Sequence, residues 1–203
     1  MSTLKKVLSQ KIDAHRPRIT KLVKQCGDVK LGDVTIAQAI GGARGVKCLV
    51  TDISYLDPFE GIRFRGLTIP ETFDALPKVP GSEYPYVEGF WYMLLTGDVP
   101  TMEQTLEVVE DWKNRSEVPQ YVFDVLNALP EDAHPMAMFS SAVLAMQRDS
   151  VFAKNYREGK FNKMTCWEDM YEDCNNMMAK LGPIGAYIYN KKYRNNDQIA
   201  ADP

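Results

Sequence analysis

The sequence has few of the residues on which metal centres and disulfide scaffolds depend. Its 203 residues include four cysteines and two histidines, and no two cysteines form a C-x-x-C pair. A structural zinc site needs clustered cysteine and histidine ligands, so we expect no metal site. Unpaired cysteines are typical of a reducing compartment. No stretch approaches the roughly 18 apolar residues that cross a bilayer, so we expect no membrane partner.

An excess of charge of one sign is also lacking. Lysine and arginine number 24 against 27 aspartates and glutamates, a net charge of −3. Such a chain has no field that favours nucleic acid, which we therefore do not expect as a partner. Hydrophobic residues make up 45% and charged residues 25%, as in ordinary globular proteins. The length allows one domain or one and a half.

Helical periodicity dominates the chain, with one β-type segment. A first helix is predicted from about Thr3, with a bend or restart at Pro17. Residues 28–69 instead carry turn signals, and the alternation of Ile62 and Phe64 with arginines predicts short strands or a hairpin. Further helices are predicted over residues 70–75, 86–95, 101–116 and 119–128, and from residues 135 and 166. The fold class is therefore mainly α with a small β element near residues 28–69.

Short motifs mark several helix ends. Gly97 follows a predicted helix as a stop signal, and Pro135 occupies a first helical position. Capping boxes are predicted for the pairs Thr101/Gln104 and Thr165/Glu168. Residues 182–183, Gly-Pro, are expected to kink the last helix rather than end it. The apolar side of the 101–116 helix is predicted to comprise Met102, Leu106, Val109 and Trp112.

Few side chains suggest a catalytic or ligand-binding role from their sequence context alone. Arg44 lies among glycines in a turn that suits a phosphate or carboxylate contact, although on spacing alone a solvated arginine is the simpler explanation. Lys163 lies in a glycine-containing loop and is either solvated or an anion contact. His15 and His134 assemble into no catalytic arrangement, so no catalytic residue is assigned. The acidic residues Asp169, Glu172 and Asp173 are predicted to be a solvated helix face.

Several segments in order resemble citrate synthase, specifically its eukaryote-like branch. The likeness runs over essentially the whole chain, from about Leu4 to Asp202, and corresponds to roughly the first half of the family's sequence. The segments that carry it are residues 41–47, 56–66 (with G-I-R-F-R-G), 69–71, 90–91, 95–101, 134–136 (H-P-M) and 167–174.

The resemblance implies a nearly all-α, homodimeric enzyme. That family condenses acetyl-CoA with oxaloacetate and water to give citrate and free CoA, with CoA as a substrate and no resident cofactor. Two histidines and an aspartate carry out the chemistry, and neither histidine here has matching surroundings. Residues 1–203 are therefore expected to be the N-terminal part of the large domain, without the small domain and catalytic core, and inactive alone.

The resemblance also implies two CoA contacts, a dimer interface and a location. Arg44 lies where the family has an arginine on the CoA phosphates. Lys163 lies in a loop whose arginine, in the family, reaches the CoA of the neighbouring subunit. The dimer interface is expected to contain helix 135–146 and the helix from residue 166 to about 193. Because the first mature helix begins near Leu4, a bacterial cytoplasmic protein is expected rather than a mitochondrial one.

Two alternative functions stay open at this point. One is a half-synthase without activity, retained for dimerisation or for regulating a full-length relative. The other is a 2-methylcitrate synthase, which would use propionyl-CoA.

Overall fold

The computed structural model describes residues 2–43, 45–48, 50–57 and 59–194. The protein is mainly helical, as predicted. The chain forms two compact units, Met1–Val108 and Val109–Pro203. Within the described residues the elements are α1 (Thr3–Cys26), α2 (Ile36–Ile40), β1 (Ser54–Asp57), β2 (Gly61–Phe64), α3 (Ile69–Ala75), α4 (Val87–Thr96), α5 (Met102–Arg115), α6 (Gln120–Ala128), α7 (Pro135–Met146), a 3-10 turn (Gln147–Asp149), α8 (Val151–Arg157) and α9 (Cys166–Tyr193).

Helix α1 is fixed to the first unit at its N-terminal end. Leu4 is buried, the Thr3 amide donates to Glu107 at 2.8 Å, and Lys11 pairs with Asp98 at 2.7 Å. The helix continues through Pro17 without the predicted restart. The second half is largely exposed, so the carbonyl that proline leaves without an amide can bond to water.

Strands β1 and β2 form the predicted β element as one antiparallel hairpin. Its register pairs Ser54 with Phe64 and Asp57 with Gly61. The Asp57 carboxylate accepts the amides of Phe59 at 2.8 Å and Glu60 at 2.9 Å, which closes the turn. These bonds, that from Glu60 first, lower the pKa of Asp57. The helix α2 within the predicted β region was not anticipated.

Helices α4 and α5 confirm the predicted end signals, and α5 confirms the predicted apolar side only in part. Gly97 ends α4 with φ +80°, and Thr101 and Gln104 form their capping box. A Cβ at Gly89 would lie 3.2 Å from the Thr105 hydroxyl oxygen, so glycine permits this close approach. Thr105 is buried accordingly. Of the predicted apolar side, Trp112 is buried and Val109 is half-buried, whereas Met102 and Leu106 are exposed.

The core of the second unit lies between α6, α7 and α9. It consists of six buried apolar residues, Val122, Leu126, Met138, Ala142, Ile184 and Ile188. Helix α9 runs through Gly182 and Pro183 as predicted. Two lysines of α9 donate hydrogen bonds to carbonyls at the C-terminal ends of other helices. Lys180 donates to the Arg115 carbonyl at 2.6 Å and Lys191 to the Leu126 carbonyl at 2.9 Å. These carbonyls belong to the last turns of α5 and α6, which lack intrahelical donors.

Candidate functional site

Three residues next to Arg44, the predicted CoA contact, have left-handed backbone conformations. Gly42, Ala43 and Gly45 have φ values of +75°, +60° and +74°. The Ala43 amide donates to the Gln38 carbonyl at 2.8 Å, and the Val46 amide to the Ala43 carbonyl at 3.0 Å. The chain therefore reverses tightly at the end of α2. Arg44 itself lies outside the described residues, and its role stays a prediction.

Lys163 lies in an exposed position on the loop between α8 and α9. Its neighbour Lys160 pairs with Glu158 at 2.7 Å, and this bond is the main cause that lowers the pKa of Glu158. Among the described residues, the Lys163 ammonium makes no hydrogen bond or ion pair, so its charge is available to an anion. The structure brings Lys163 to the surface, as an anion contact requires, without testing that role.

Both histidines are exposed. His134 caps α7, because its Nδ1 accepts the Met136 amide at 3.2 Å. The expectation that neither histidine has a catalytic role stays a prediction.

The acidic residues of α9 are not the predicted solvated face. Asp173 accepts the Ser150 hydroxyl at 2.6 Å and the amides of Val151 and Phe152 at 2.7 and 3.1 Å. Glu172 pairs with Arg115 at 2.9 Å, and Asp169 accepts from Asn155 at 3.0 Å. The prediction was wrong because α8 and the last residue of α5 bring donors against this face. The Ser150 cap before α8 was the sequence signal for the start of that helix.

A cavity of about 410 Å³ lies in the second unit beside α7 and α9. The charged side chains that line this cavity form hydrogen bonds with other residues of the protein. Asp149 accepts the Tyr121 hydroxyl at 2.7 Å, and burial followed by this bond raises the pKa of Tyr121 to about 12. Burial, then the charge of Arg115, lowers the pKa of Lys180. These groups hold helices together and do not form a catalytic set.

The described residues contain neither a metal-binding cluster nor a membrane-spanning helix. No three of their histidine, cysteine, aspartate and glutamate side chains are grouped so that they could hold a metal ion. No helix within the same ranges has the length and apolar character to cross a membrane.

The chain is similar in sequence to mitochondrial citrate synthases of plants, insects and fungi. It is 44% identical to citrate synthase 4 of Arabidopsis thaliana over 199 residues, which is 98% of the chain and 42% of that protein. It is 45% identical to a probable citrate synthase of Glossina morsitans morsitans and 43% identical to that of Aspergillus niger, over 96% and 95% of the chain. The chain spans about 40% of the length of these relatives.

These relatives correct the expected location. The sequence analysis predicted a bacterial cytoplasmic protein from the position of the first helix. The relatives at 43–45% identity are named mitochondrial, so that prediction was wrong. The physical reason is that the start of a folded helix carries no information about a targeting segment, which is recognised separately from the fold.

Solved structures support the fold. The citrate synthase of Pyrobaculum aerophilum superposes with a TM-score of 0.62 over 85% of the chain and 41% of that structure. The Thermoplasma acidophilum enzyme, solved with carboxymethyl coenzyme A and oxaloacetate, gives 0.56 over 75% of the chain and 35% of that structure. At 22% identity, both show the fold alone.

A family model decides the assignment. The model described as "Citrate synthase, C-terminal domain" matches residues 42–203. The expectation that residues 1–203 are the N-terminal part of the large domain stays a prediction. The match extends over most of the chain and agrees with the sequence relatives and the superposed folds. The chain belongs to the citrate synthase family.

Proposed function

We propose that this chain is part of a citrate synthase that condenses acetyl-CoA with oxaloacetate and water to give citrate and free CoA. The observation that carries the proposal is 43–45% identity to citrate synthases over at least 95% of the chain. The Thermoplasma acidophilum relative was solved with a CoA analogue and oxaloacetate, which supports these substrates. CoA enters as a substrate, and the proposal includes no resident cofactor.

The residues described here serve substrate binding and assembly rather than proton transfer. Enolisation of a thioester requires a base and an electrophile acting together, and the two histidines are exposed and lie in unrelated surroundings. We therefore propose that the catalytic groups come from the part of the enzyme that this chain does not match. Residues 1–203 alone should make no citrate.

Arg44 and Lys163 are the proposed contacts to CoA phosphates. The left-handed residues Gly42, Ala43 and Gly45 form a tight reversal next to Arg44 in the sequence, which suits presentation of a side chain to a ligand, and Lys163 is exposed with an available charge. Arginine can bind a phosphate through two parallel hydrogen bonds, whereas lysine acts as a point charge. Arg44 is accordingly the stronger proposed contact.

The proposed oligomer is a homodimer through α7 and α9. On α7, Met136 and Leu144 are 61% and 73% exposed, and they lie eight residues apart, on one helix face. Ser140 lies between them and Ala137 lies beside them, and both are exposed. Small residues beside an apolar stripe allow another helix to approach closely, so a second copy of the chain fits this face.

A chimera tests the proposed reaction. The 203 residues replace the matching region of the Aspergillus niger citrate synthase, and release of free CoA from acetyl-CoA and oxaloacetate is measured. The chimera should be active and the chain alone inactive. A chain that turns over within about a hundredfold of the chimera would contradict the division of roles, because losing one catalytic unit removes orders of magnitude in rate.

The same assay separates the alternatives. A folded but inactive chimera, with helicity and melting temperature like those of the parent enzyme, would contradict the proposal and favour a half-synthase without activity. Preference for propionyl-CoA over acetyl-CoA would favour a 2-methylcitrate synthase. The names of the relatives extend the proposal to a mitochondrial location, and recovery of the protein outside mitochondria after fractionation of the source cells would contradict it.

A further inference from the structure

The loop that carries Lys163 is fixed at its start by the end of α8. The Lys160 amide donates to the Asn155 carbonyl at 2.9 Å and the Gly159 amide to the Tyr156 carbonyl at 3.2 Å. Gly159 has φ +70°. This is the Schellman arrangement, in which a left-handed glycine reverses the chain and satisfies the last helical carbonyls. The exit direction from α8 is therefore defined by backbone bonds.

An aromatic anchor holds the middle of the loop. The Phe161 ring meets the rings of Phe152 and Tyr156 edge to face, at centroid distances of 5.9 and 5.8 Å. Phe152 and Tyr156 stack on each other along α8, at 6.3 Å. Edge-to-face pairs at such distances are favourable beyond the area that they bury. Phe161 is nevertheless 44% exposed, so its packing fixes the loop rather than filling a core.

Asn162 fixes the next stretch of the loop. Its side-chain oxygen accepts the Met164 amide at 2.9 Å. Its carbonyl accepts the amides of Thr165 and Cys166 at 3.1 and 2.8 Å, at the first turn of α9. An asparagine that bonds the backbone two residues on forms an Asx turn, which replaces a backbone turn. Lys163 lies inside this turn, between Asn162 and Met164, the residue whose amide the Asn162 side chain binds.

We propose that Phe161 and Asn162 are positioning residues that hold Lys163 ready for a phosphate group of CoA. The inference rests on the proposed function, because it takes Lys163 as the phosphate contact. A lysine side chain has many rotamers and binds as a point charge, so its usefulness depends on a backbone that is ordered before the ligand arrives. Ordering in advance reduces the entropic cost of binding. Neither residue needs to touch the ligand.

Limited digestion of the 203-residue chain with trypsin tests the order of the loop directly. Trypsin can cut after Lys163 only when the loop opens locally. Phe161→Ala and Asn162→Ala should each speed this cut by about tenfold relative to other cuts in the same digest. Phe161→Tyr keeps the ring and should cut at the rate of the unchanged chain. Unchanged rates in both alanine variants would overturn the inference.

A double-mutant cycle in the chimera tests the link to CoA. Lys163→Ala should raise the KM for acetyl-CoA by about three- to tenfold and leave kcat unchanged. Phe161→Ala should raise the same KM by about two- to fivefold, again without changing kcat. In the Lys163→Ala background, Phe161→Ala should have no further effect, because the lysine is what it positions.

The outcomes separate this inference from the proposed contact. If Lys163→Ala raises KM but Phe161→Ala and Asn162→Ala do not, the contact stands and the positioning role is overturned. If the Phe161 effect persists fully without Lys163, the ring acts by another route and the inference is overturned. If Lys163→Ala leaves KM unchanged, the contact and the inference both fail, whatever the digestion shows about the loop.

Discussion

The Arg65 Nε donates to the Leu94 carbonyl at 3.0 Å, so a residue beside the hairpin closes the end of a helix 29 residues further along the chain. A second guanidinium nitrogen reaches the Leu95 carbonyl at 3.2 Å, and a third pairs with Asp52 at 3.2 Å. Helix α4 thus has its C-terminal carbonyls bonded to a cation, the charge that a helix C-terminus favours. Within the G-I-R-F-R-G motif, Arg65 therefore has a structural role.

Replacing Arg65 should cost far more stability than replacing its neighbour Arg63. Arg65→Ala removes several charged hydrogen bonds in a largely buried setting, and should lower the free energy of unfolding by about 2–4 kcal/mol. Arg63→Ala is the matched control, because Arg63 pairs with Glu60 on an exposed surface and should cost less than about 1 kcal/mol. Urea unfolding followed by circular dichroism measures both. Equal costs would show that Arg65 does not stabilise α4.

Asp173 should be needed to hold the start of α8. Asp173→Asn replaces one accepting oxygen with an amide that faces donors, and should lower the free energy of unfolding by about 1–3 kcal/mol. Asp132→Asn, at an exposed loop position, is the control and should change it by less than about 0.5 kcal/mol. Hydrogen exchange of the α8 amides reports the local effect. Unchanged protection in the Asp173 variant would contradict the capping role.

Self-association should depend on the exposed face of α7. Leu144→Glu places a charge on this face and should convert dimers to monomers at tens of micromolar, because burying an unpaired carboxylate is costly. Leu56→Glu is the control, since Leu56 on β1 is 69% exposed but lies outside the proposed interface. Sedimentation velocity measures both. A monomeric unchanged chain, or a dimer that survives Leu144→Glu, would contradict the proposed interface.

Arg44 should contribute to CoA binding rather than to stability. In the chimera, Arg44→Ala should raise the KM for acetyl-CoA by about ten- to a hundredfold, because a charged hydrogen bond is worth about 1.5–3 kcal/mol. The KM for oxaloacetate should not change. Arg44→Lys should recover part of the loss, since the charge remains but the paired geometry does not. A melting temperature lowered by several degrees with KM intact would instead identify a structural arginine.

Most of the helices could be predicted because their ends are determined locally, although α2 and α8 were not predicted. Gly97 ends α4 and Pro135 begins α7 through backbone geometry that each residue brings with it. The buried faces could be predicted only in part, as the burial of Trp112 but not of Met102 and Leu106 shows. Thr105 is buried because Gly89 lets α4 approach it, and no pattern within α5 records that neighbour.

Two other predictions failed because the hydrogen-bond partners differ from those that the local sequence suggests. Thr165 and Glu168 match a capping box, but the Thr165 side chain makes no capping hydrogen bond. The Asn162 carbonyl instead bonds the amides at this helix start. Asp173 looked like a surface residue because its partners, near residue 150, are distant in sequence. The candidate CoA contacts could be predicted only from the resemblance to citrate synthase. The residues around Lys163 do not by themselves distinguish a phosphate contact from a solvated lysine.

Helix α9 has a built-in division at Pro183. Proline has no amide proton, so the Ala179 carbonyl loses its helical donor and the hydrogen-bond ladder is interrupted there. The segment before it bonds α5 through Glu172 and Lys180, whereas the segment after it bonds α6 through Tyr187 and Lys191. Each half thus has its own attachments. Opening of one half need not propagate to the other, so we expect the α9 amides before and after Pro183 to exchange at different rates.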